Sequence, residues 1–433
     1  MNLISKTLRT ALILLPFVFF TLSIFGQSTE MDLSAHVRIE ERTNQIFDSL
    51  VKIRRDFHVN PELGEKEERT AEKIAEYLNA LGLEVHTNIG GYGVVGILRT
   101  NRKGKRIAWR TDIDALASEH PDVVEFSSEN EGVRHICGHD VHTTIALGMA
   151  NVLTSLKESL TGTIYFIFQP SEENWVGAKA MIDDGVFDLI DPEEIYALHI
   201  APMAEGNITT KARNPFADHK GIQITFKKSD DNEAVIDYAK KLILNLQNVA
   251  PDSKFWDNRS LLDPNIGLGN PNTIFKDYVT VDSKVNVEQT ENEIIFRAAL
   301  SAEKETQLDS LLSGAKEKIM RSKFSSKFLN IKFYTELPLV LNDENLTNIS
   351  MAALSKIYGK EKNLPLYGAI PDGRSDDFSL FQRQIPGVYF LLGASDFQKG
   401  IISMPHSPNF SVDENSIRTG VQRFSSLLVE RLK

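Results

Sequence analysis

Two uninterrupted apolar runs constrain the fold of this chain more than any other feature. Residues 163–168 and 387–392 show no polar alternation, which is typical of strands that are buried on both faces of a sheet. Other segments, such as residues 46–57, carry apolar residues at intervals of three and four, as amphipathic helices do. Strands that alternate with helices predict an α/β fold, in which helices flank a mixed sheet.

The pattern changes near residue 215. Residues 221–226 and 292–300 alternate between apolar and polar side chains, as half-exposed strands do, and a helical segment follows each of them. This set predicts an inserted α+β domain, ferredoxin-like in arrangement, over residues 216–330. Residues 34–215 and 331–433 would then form one α/β domain that is split in sequence.

Residues 1–26 have the pattern of a secretory signal peptide. Lys6 and Arg9 precede an apolar run over residues 11–25, and Gly26 is a small residue at the expected cleavage site. The run is shorter than the ~20 residues that usually span a membrane. We therefore expect an exported protein, periplasmic or secreted, without a stable membrane span after cleavage. An uncleaved N-terminal membrane anchor is the alternative interpretation.

The charge and the cysteine count exclude several classes of protein. The 433 residues carry a formal net charge of −11, and an acidic chain lacks the positive surface that binds nucleic acids. Apolar residues make up 42% of the chain, an ordinary globular value. Cys137 is the only cysteine, so no internal disulfide can form. In an exported protein such a thiol is exposed to oxidation unless it is buried or bound to a metal.

Three histidines and the cysteine lie within residues 135–142. Cys137 and His139 can both reach one metal ion, because Gly138 between them allows a tight turn. Asp140 can accept a ring N–H and fix the tautomer of a ligating histidine. The alternative is a reactive or merely buried cysteine with histidines on the surface.

Further candidate groups follow the ends of apolar strands, where α/β sheets bind ligands. Glu172 and Glu173 come soon after one such strand, and one carboxylate can bind a metal while its neighbour holds a proton. His199 ends another strand. Asp112 and Asp114 end a third and project from one face of it. Taken singly, a Glu-Glu pair is usually solvated and a histidine at a strand end is more often structural.

Seven short motifs occur in order along residues 40–430: Arg54-Arg55-Asp56-Phe57-His58 with Asn60-Pro61-Glu62-Leu63, Arg110-Thr111-Asp112-Ile113-Asp114, His135-Ile136-Cys137-Gly138-His139-Asp140-Val141-His142, Phe168-Gln169-Pro170-Ser171-Glu172-Glu173, Gly177-Ala178-Lys179-Ala180-Met181, Leu198-His199 and His406-Ser407-Pro408. Together they resemble the M20 metallopeptidase family, and most closely its amidohydrolase branch. Members of that branch act on N-acyl amino acids such as hippurate and auxin–amino-acid conjugates. The resemblance is dense in the split domain and sparse in the inserted one.

The resemblance implies a binuclear site for two divalent metal ions, which in this family are manganese, zinc, nickel or cobalt. The implied ligands are Cys137, His139, Glu173, His199 and His406. Glu172 is the implied general base, acting on a metal-bound water. Four residues are expected to surround the ligands: Asp112, Asp114, Asp140 and His142. The implied reaction is hydrolysis of the amide bond of an N-acyl amino acid or a short peptide. The resemblance also implies that the inserted domain is a lid, through which the chain forms a homodimer.

The inserted domain departs from the family pattern. The position of the family's lid histidine falls on Asn232, and the two preceding glycines are replaced by Asp230 and Asp231. The family's Asn-Val-Ile-Pro motif survives only in part, beginning at Asn286. An asparagine amide donates hydrogen bonds but carries no positive charge, and losing one oxyanion donor slows other hydrolases by roughly 10²–10³-fold. Asn232 and Asn286 are the candidate substrate-binding residues.

Two other functions stay open at this point. A metal-bearing protein that binds small amides but turns them over slowly, or not at all, would explain Asn232. A hydrolase with Cys137 as nucleophile and His139 or His142 as base would leave the remaining implied ligands without a role. The complete set of implied ligands with Glu172 favours the metal-dependent amidohydrolase.

Overall fold

The central sheet contains both uninterrupted apolar runs. In the computed structural model, which describes residues 19–371 and 375–433 and the side chains from Ala35 onward, this sheet has eight strands in the order β1-β2-β6-β3-β7-β15-β8-β14. The strands are β1 Glu84–Ile89, β2 Gly93–Arg99, β3 Arg106–Asp112, β6 Thr163–Gln169, β7 Glu194–Ala204, β8 Ile208–Thr210, β14 Asn363–Pro365 and β15 Gly387–Ser395. β3 runs parallel to β6 and β7, and β15 runs parallel to β7, whereas β1 and β2 are antiparallel. The sheet is therefore mixed, as predicted.

Helices cover both faces of this sheet. The α-helices are α1 Phe19–Val59, α2 Glu68–Ala80, α3 His139–Ser155, α4 Gly177–Asp183, α5 Val186–Leu189, α6 Asn232–Leu244, α7 Glu305–Met320, α8 Glu344–Tyr358, α9 Phe378–Gln382 and α10 Asn415–Leu432. Helices α1, α2, α3, α8 and α10 pack into one apolar core with Phe166 of β6. Helices α4, α5 and α9 form a second core with Tyr165 and Ile167 of the same strand. Successive residues of β6 face opposite cores, which explains why its sequence shows no alternation.

The second sheet is antiparallel and is built from the sequence between β8 and α8. Its strands are β9 Asp218–Lys227, β10 Val279–Val281, β11 Asn286–Gln289, β12 Glu293–Ala302 and β13 Phe328–Glu336. Their order is β10-β12-β9-β13, and β11 also pairs with β12. Helices α6 and α7 bury their apolar faces against this sheet. The domain limits at residues 216 and 330 stay predictions, and strand β13 runs across the second of them.

A short hairpin follows β3 at the side of the central sheet where the parallel strands have their carboxyl ends. Strands β4 (Leu116–Ala117) and β5 (Val133–Arg134) pair with each other and enclose residues 118–132, which we call the 118–132 hairpin. The predicted signal peptide, residues 1–26, lies outside the part of the chain whose side chains are described. None of the described helices combines the length and apolar character that crossing a membrane requires.

Candidate metal centre

The carboxyl ends of the parallel strands converge on one side of the sheet and carry the candidate residues. β3 ends at Asp112, β6 ends three residues before Glu172, and β7 contains His199. Helix α3 begins at His139, and His406 lies in the loop that follows β15. Since these strands are hydrogen-bonded neighbours in the order β6-β3-β7-β15, residues distant in sequence meet at one edge.

The Cys137 thiol lies in the middle of the five implied ligands. Its Sγ is 3.2 Å from Nε2 of His199 and 3.2 Å from Nε2 of His406. Oε1 of Glu173 is 3.3 Å from the same nitrogen of His406. Nε2 of His139 lies 3.8 Å from Oε1 of Glu173 and 3.8 Å from Oε2 of Glu172. The structure thus brings all five implied ligands together, with Glu172 beside them.

Backbone carbonyls fix the orientation of two of the histidine rings. Nδ1 of His139 donates to the carbonyl oxygen of Asp114 over 2.9 Å, and Nδ1 of His199 donates to the carbonyl oxygen of Ile200 over 2.6 Å. Each ring therefore carries a proton on Nδ1 and directs Nε2 at the centre. The Asp114 carboxylate also accepts the backbone N–H of Glu173 over 3.0 Å. Asp114 accordingly holds two candidate ligands in place.

His142 and Asp112 lie directly behind the candidate ligands. Nδ1 of His142 donates to Oδ1 of Asp112 over 2.7 Å, and Nε2 accepts the backbone N–H of Ile200 over 2.9 Å. Both ring nitrogens are therefore occupied, so His142 offers no free nitrogen to a metal. Its ring packs against that of His199, with the centroids 4.6 Å apart.

Asp140 points away from the centre. Its Oδ2 lies 2.8 Å from Nδ1 of His58 and 2.8 Å from Nε of Arg54, both on α1. Asp140 therefore does not fix the tautomer of a candidate ligand, because the ring N–H of His139 is taken by Asp114.

The two candidate substrate residues lie in the second sheet domain. Oδ1 of Asn232 accepts the backbone N–H of Ser229 over 2.8 Å, so its side chain is tied to its own turn. Asn286 is exposed at the start of β11. Among the described residues, no hydrogen bond or ion pair joins either asparagine to the candidate metal centre. His219, in β9 of the same domain, is hydrogen-bonded through Nδ1 to Oγ of Ser301 over 2.9 Å.

A buried charge network beneath the centre was not assigned from the sequence. The guanidinium of Arg110 lies 2.8 Å from Asp112 and 3.0 Å from both Asp376 and Asp377, and all four side chains are buried. The carboxylates of Asp376 and Asp377 lie within 4.8 Å of that of Glu172. The two-residue spacing of Arg110 and Asp112 places both on one face of β3, and this was the available sequence signal. The partners Asp376 and Asp377, in the turn before α9, are too remote in sequence to be inferred.

The electrostatics of the centre reflect a surplus of buried negative charge. Burial, reinforced by the carboxylates of Glu173 and Glu172, raises the pKa of the Cys137 thiol well above its usual value. Burial and the neighbouring Asp376 raise the pKa of Glu172 in the same way. Burial and the adjacent His142 lower the pKa of His199, which keeps this imidazole neutral. Bound cations would relieve the repulsion among the acidic groups.

The donor set fits divalent metal ions. Nε2 of His139 and Oε1 of Glu173 are buried without a hydrogen-bond partner, although buried polar atoms are normally paired. Both atoms belong to groups of cysteine, histidine and carboxylate side chains whose ligand atoms lie within 4.8 Å of one another. A thiol with imidazoles suits zinc and similar ions, and a carboxylate also accepts manganese.

Comparison with known proteins agrees with this geometry. Residues 108–430 match the profile of peptidase family M20/M25/M40, so the chain belongs to that family. It is therefore an enzyme of the M20 metallopeptidase and amidohydrolase class, as the sequence motifs predicted.

Relatives in this family carry different names. The chain is 30% identical over 404 residues to thermostable carboxypeptidase 2 of Saccharolobus solfataricus, covering 91% of this chain and 98% of that protein. It is 27% identical over 408 residues to IAA-amino acid hydrolase ILR1-like 2 of Arabidopsis thaliana, covering 90% and 87%. The fold is shared with YXEP of Bacillus subtilis, described as a dinuclear metal binding peptidase. That comparison has a TM-score of 0.71 at 24% identity and covers 90% of this chain and 99% of that one.

Proposed function

We propose that this enzyme is an exported amidohydrolase that depends on two divalent metal ions and hydrolyses the amide bond of N-acyl amino acids or short peptides. The observation that carries the proposal is the convergence of one thiol, three imidazole Nε2 atoms and the Glu173 carboxylate around one centre, with Glu172 beside them. Relatives named as a carboxypeptidase and as an IAA-amino acid hydrolase support this class of substrate.

Five residues would hold the ions, namely Cys137, His139, Glu173, His199 and His406. When bound, the ions supply positive charge that makes a water molecule more acidic and polarises the carbonyl of the substrate. The chain's own contribution is the fixed orientation of these groups, because Asp114 and the Ile200 carbonyl hold ring nitrogens in a single tautomer.

Glu172 is the proton carrier in this proposal. Its carboxylate accepts a proton from the attacking water and then donates that proton to the amide nitrogen of the leaving group. Burial and the nearby Asp376 raise the pKa of Glu172, which favours the protonated form that donates to the leaving group. The positive charge of Arg110, which is paired with Asp376, offsets the repulsion between the Asp376 and Glu172 carboxylates.

The turn before α6 favours substrates that do not rely on a lid imidazole. Asn232 is tied to Ser229, and Asp231 forms an ion pair with Lys327. Asp230 adds a further negative charge to this turn, and a negative charge disfavours a free α-carboxylate beside it. We therefore expect the C-terminal amides of N-acyl amino acids to be hydrolysed at least as fast as the free acids. A tenfold preference for the free acids would contradict this expectation.

The central test is hydrolysis of a panel of N-acyl amino acids, their amides and dipeptides by manganese- or zinc-loaded protein. Turnover should disappear with a chelator and return with added metal. The Glu172→Gln variant should bind the metal and lose activity by about 10²–10⁴-fold. Activity that survives both treatments would refute the metal-dependent mechanism. N-terminal sequencing of the mature protein from cell fractions tests export and cleavage after Gly26.

A second candidate function is a slow or inactive protein that binds small amides. The specific observation in its favour is that the Asn232 side chain is held within its own turn and offers no cation to a substrate. This function predicts metal binding and saturable amide binding, with no turnover above the Glu172→Gln background. Asn232→His should then create activity.

We further propose that the chain forms a homodimer through the second sheet. β13 is at one edge of that sheet, and its Leu329 and Tyr334 side chains are 48% and 45% exposed. A free edge with exposed apolar side chains favours pairing with a second copy. Light scattering of the purified protein should give twice the chain mass, and Leu329→Glu should shift it to the monomer. A monomeric wild type would refute the proposal.

A further inference from the structure

The 118–132 hairpin is anchored by a buried aspartate, in addition to hydrogen bonds from Glu129 to Val59 and from Asn130 to Pro61. Along the chain this hairpin separates Asp114 from Cys137, and therefore connects two sides of the candidate metal centre. Asp122 turns its carboxylate inward, where its side chain is 3% exposed and accepts N–H groups from Ser128 over 2.8 Å and from Nε of Arg134 over 2.6 Å. Buried charge at Asp122 is thus one of the interactions that fix the hairpin.

His58 connects this aspartate with helix α3. Its Nε2 lies 3.3 Å from Oδ1 of Asp122, and its Nδ1 lies 2.8 Å from Oδ2 of Asp140. An imidazole with a carboxylate at each nitrogen donates from both, which requires the protonated ring. Burial lowers the pKa of His58, but the hydrogen bonds to Asp122 and Asp140 outweigh burial and raise it overall.

The groups around this imidazole form a closed charge network. Arg54 of α1 pairs with Asp140, and Arg134 of β5 pairs with Asp122. The ring of Phe126 from the hairpin packs edge-on against His58 at 5.3 Å, and Arg54 lies over the same ring. The ring of His135 is 6.5 Å away, and its pKa is lowered to about 3 by burial, so it stays neutral. Two carboxylates therefore face two guanidinium groups and one imidazolium at this junction.

Asp140 joins His58 to the helical turn that carries the candidate ligand His139. It directly follows His139 in the first turn of α3, is fully buried, and accepts the backbone N–H of Val141 over 3.0 Å through its other oxygen. We propose that His58 is a positioning residue. Through Asp122 and Asp140 it joins the 118–132 hairpin to the helical turn that carries His139, and so holds His139 in position relative to the other candidate metal ligands. The inference rests on the proposed metal site.

The test measures metal affinity directly, by competition between the metal-free protein and a chromophoric chelator for zinc. Partners that orient metal ligands typically change metal affinity by about 10–100-fold when they are replaced. We expect a loss of this size for His58→Gln and a loss in the same direction for Asp122→Asn. The double variant should lose less than the sum of both losses, because the two residues act through one contact. His86→Gln, which changes an exposed histidine paired with Glu84, should retain wild-type affinity.

A second readout follows the hairpin itself. The hairpin contains several glutamates, so a glutamate-specific protease should cut within residues 118–132 faster in His58→Gln than in the wild type. A purely structural role would lower the unfolding temperature while the folded protein kept its zinc affinity, and that result would overturn the proposal. If His58→Gln does not fold, unchanged affinity in Asp122→Asn overturns it equally. A wild type that binds no zinc refutes the proposed function together with this inference, whereas equal affinity of wild type and variants refutes only the inference.

Discussion

Glu67 is a buried carboxyl group whose raised pKa should make the stability of this protein fall as pH rises from 4.5 to about 7. It has no exposed surface, and it lies just before α2. Its Oε1 accepts the backbone N–H of Ser171 over 2.8 Å, while its Oε2 has no hydrogen-bond partner. Burial raises the pKa of Glu67 from 4.5 to about 7. The folded protein therefore holds this proton over a pH range in which the unfolded chain has released it.

The sign of the effect follows from linkage. Because the folded-state pKa is raised, the wild type loses stability as pH rises from the unfolded pKa of 4.5 through the folded pKa of about 7. Glu67→Gln imitates the protonated form, keeps an acceptor for Ser171 and has no charge to bury. The free energy of unfolding of the variant, relative to the wild type, should therefore increase by about 2.5 kcal/mol between pH 5 and pH 8.

Urea unfolding of the metal-free protein at the two pH values measures this difference. Glu76→Gln is the matched control, because it changes an exposed carboxylate on the following helix, whose pairing with Lys73 contributes little. The control should show the same small effect at both pH values. If Glu67→Gln differs from the wild type by the same amount at pH 5 and pH 8, the argument from burial is wrong.

Three further predictions concern the centre and its support. Glu173→Gln should lower metal content, measured by mass spectrometry, whereas Glu172→Gln should retain the metal; loss of metal in both would contradict their separate roles. Arg110→Met should lower the free energy of unfolding by about 3–5 kcal/mol, because it leaves several buried carboxylates without their cation; chemical denaturation with no shift in midpoint would refute this. Gly138→Ala should cost about 1–3 kcal/mol, because φ is +98° and an added Cβ would lie 2.3 Å from Cδ1 of Ile200; calorimetry showing an unchanged unfolding temperature would be the contrary result.

The α/β core was predictable because its signal is local. The run over residues 163–168 lacks alternation, and β6 indeed buries successive residues in opposite cores. Cys137 and His139 were recognisable from the tight glycine turn between them. Family membership followed from the order of short motifs, and four of them lie at the end of β3 or β6 or at the start of α3 or α4.

The supporting interactions could not be predicted because they join remote segments. The sequence gives no indication that Asp140 turns toward His58, 82 residues away, and not toward the neighbouring His139. Likewise, the contacts of Arg110 with Asp376 and Asp377 depend on how α9 packs against the sheet. The hydrogen bond from Ser229 to the Asn232 side chain joins near neighbours in sequence. It still could not be predicted, because the residue type alone does not determine the side-chain conformation.

The parallel pairing of β7 with β15 has a consequence for the order of events during synthesis. β15 leaves the ribosome only after the entire second sheet, so the outer edge of β7 remains unpaired through the translation of more than 180 residues. An apolar strand edge exposed for so long is prone to aggregation and is a natural substrate for chaperones. His406 emerges later still, and a nascent chain that has already folded its first strands cannot assemble the complete set of candidate ligands. The full set of candidate metal ligands would thus be available only after residue 406 has been translated, when β15 can already pair with β7.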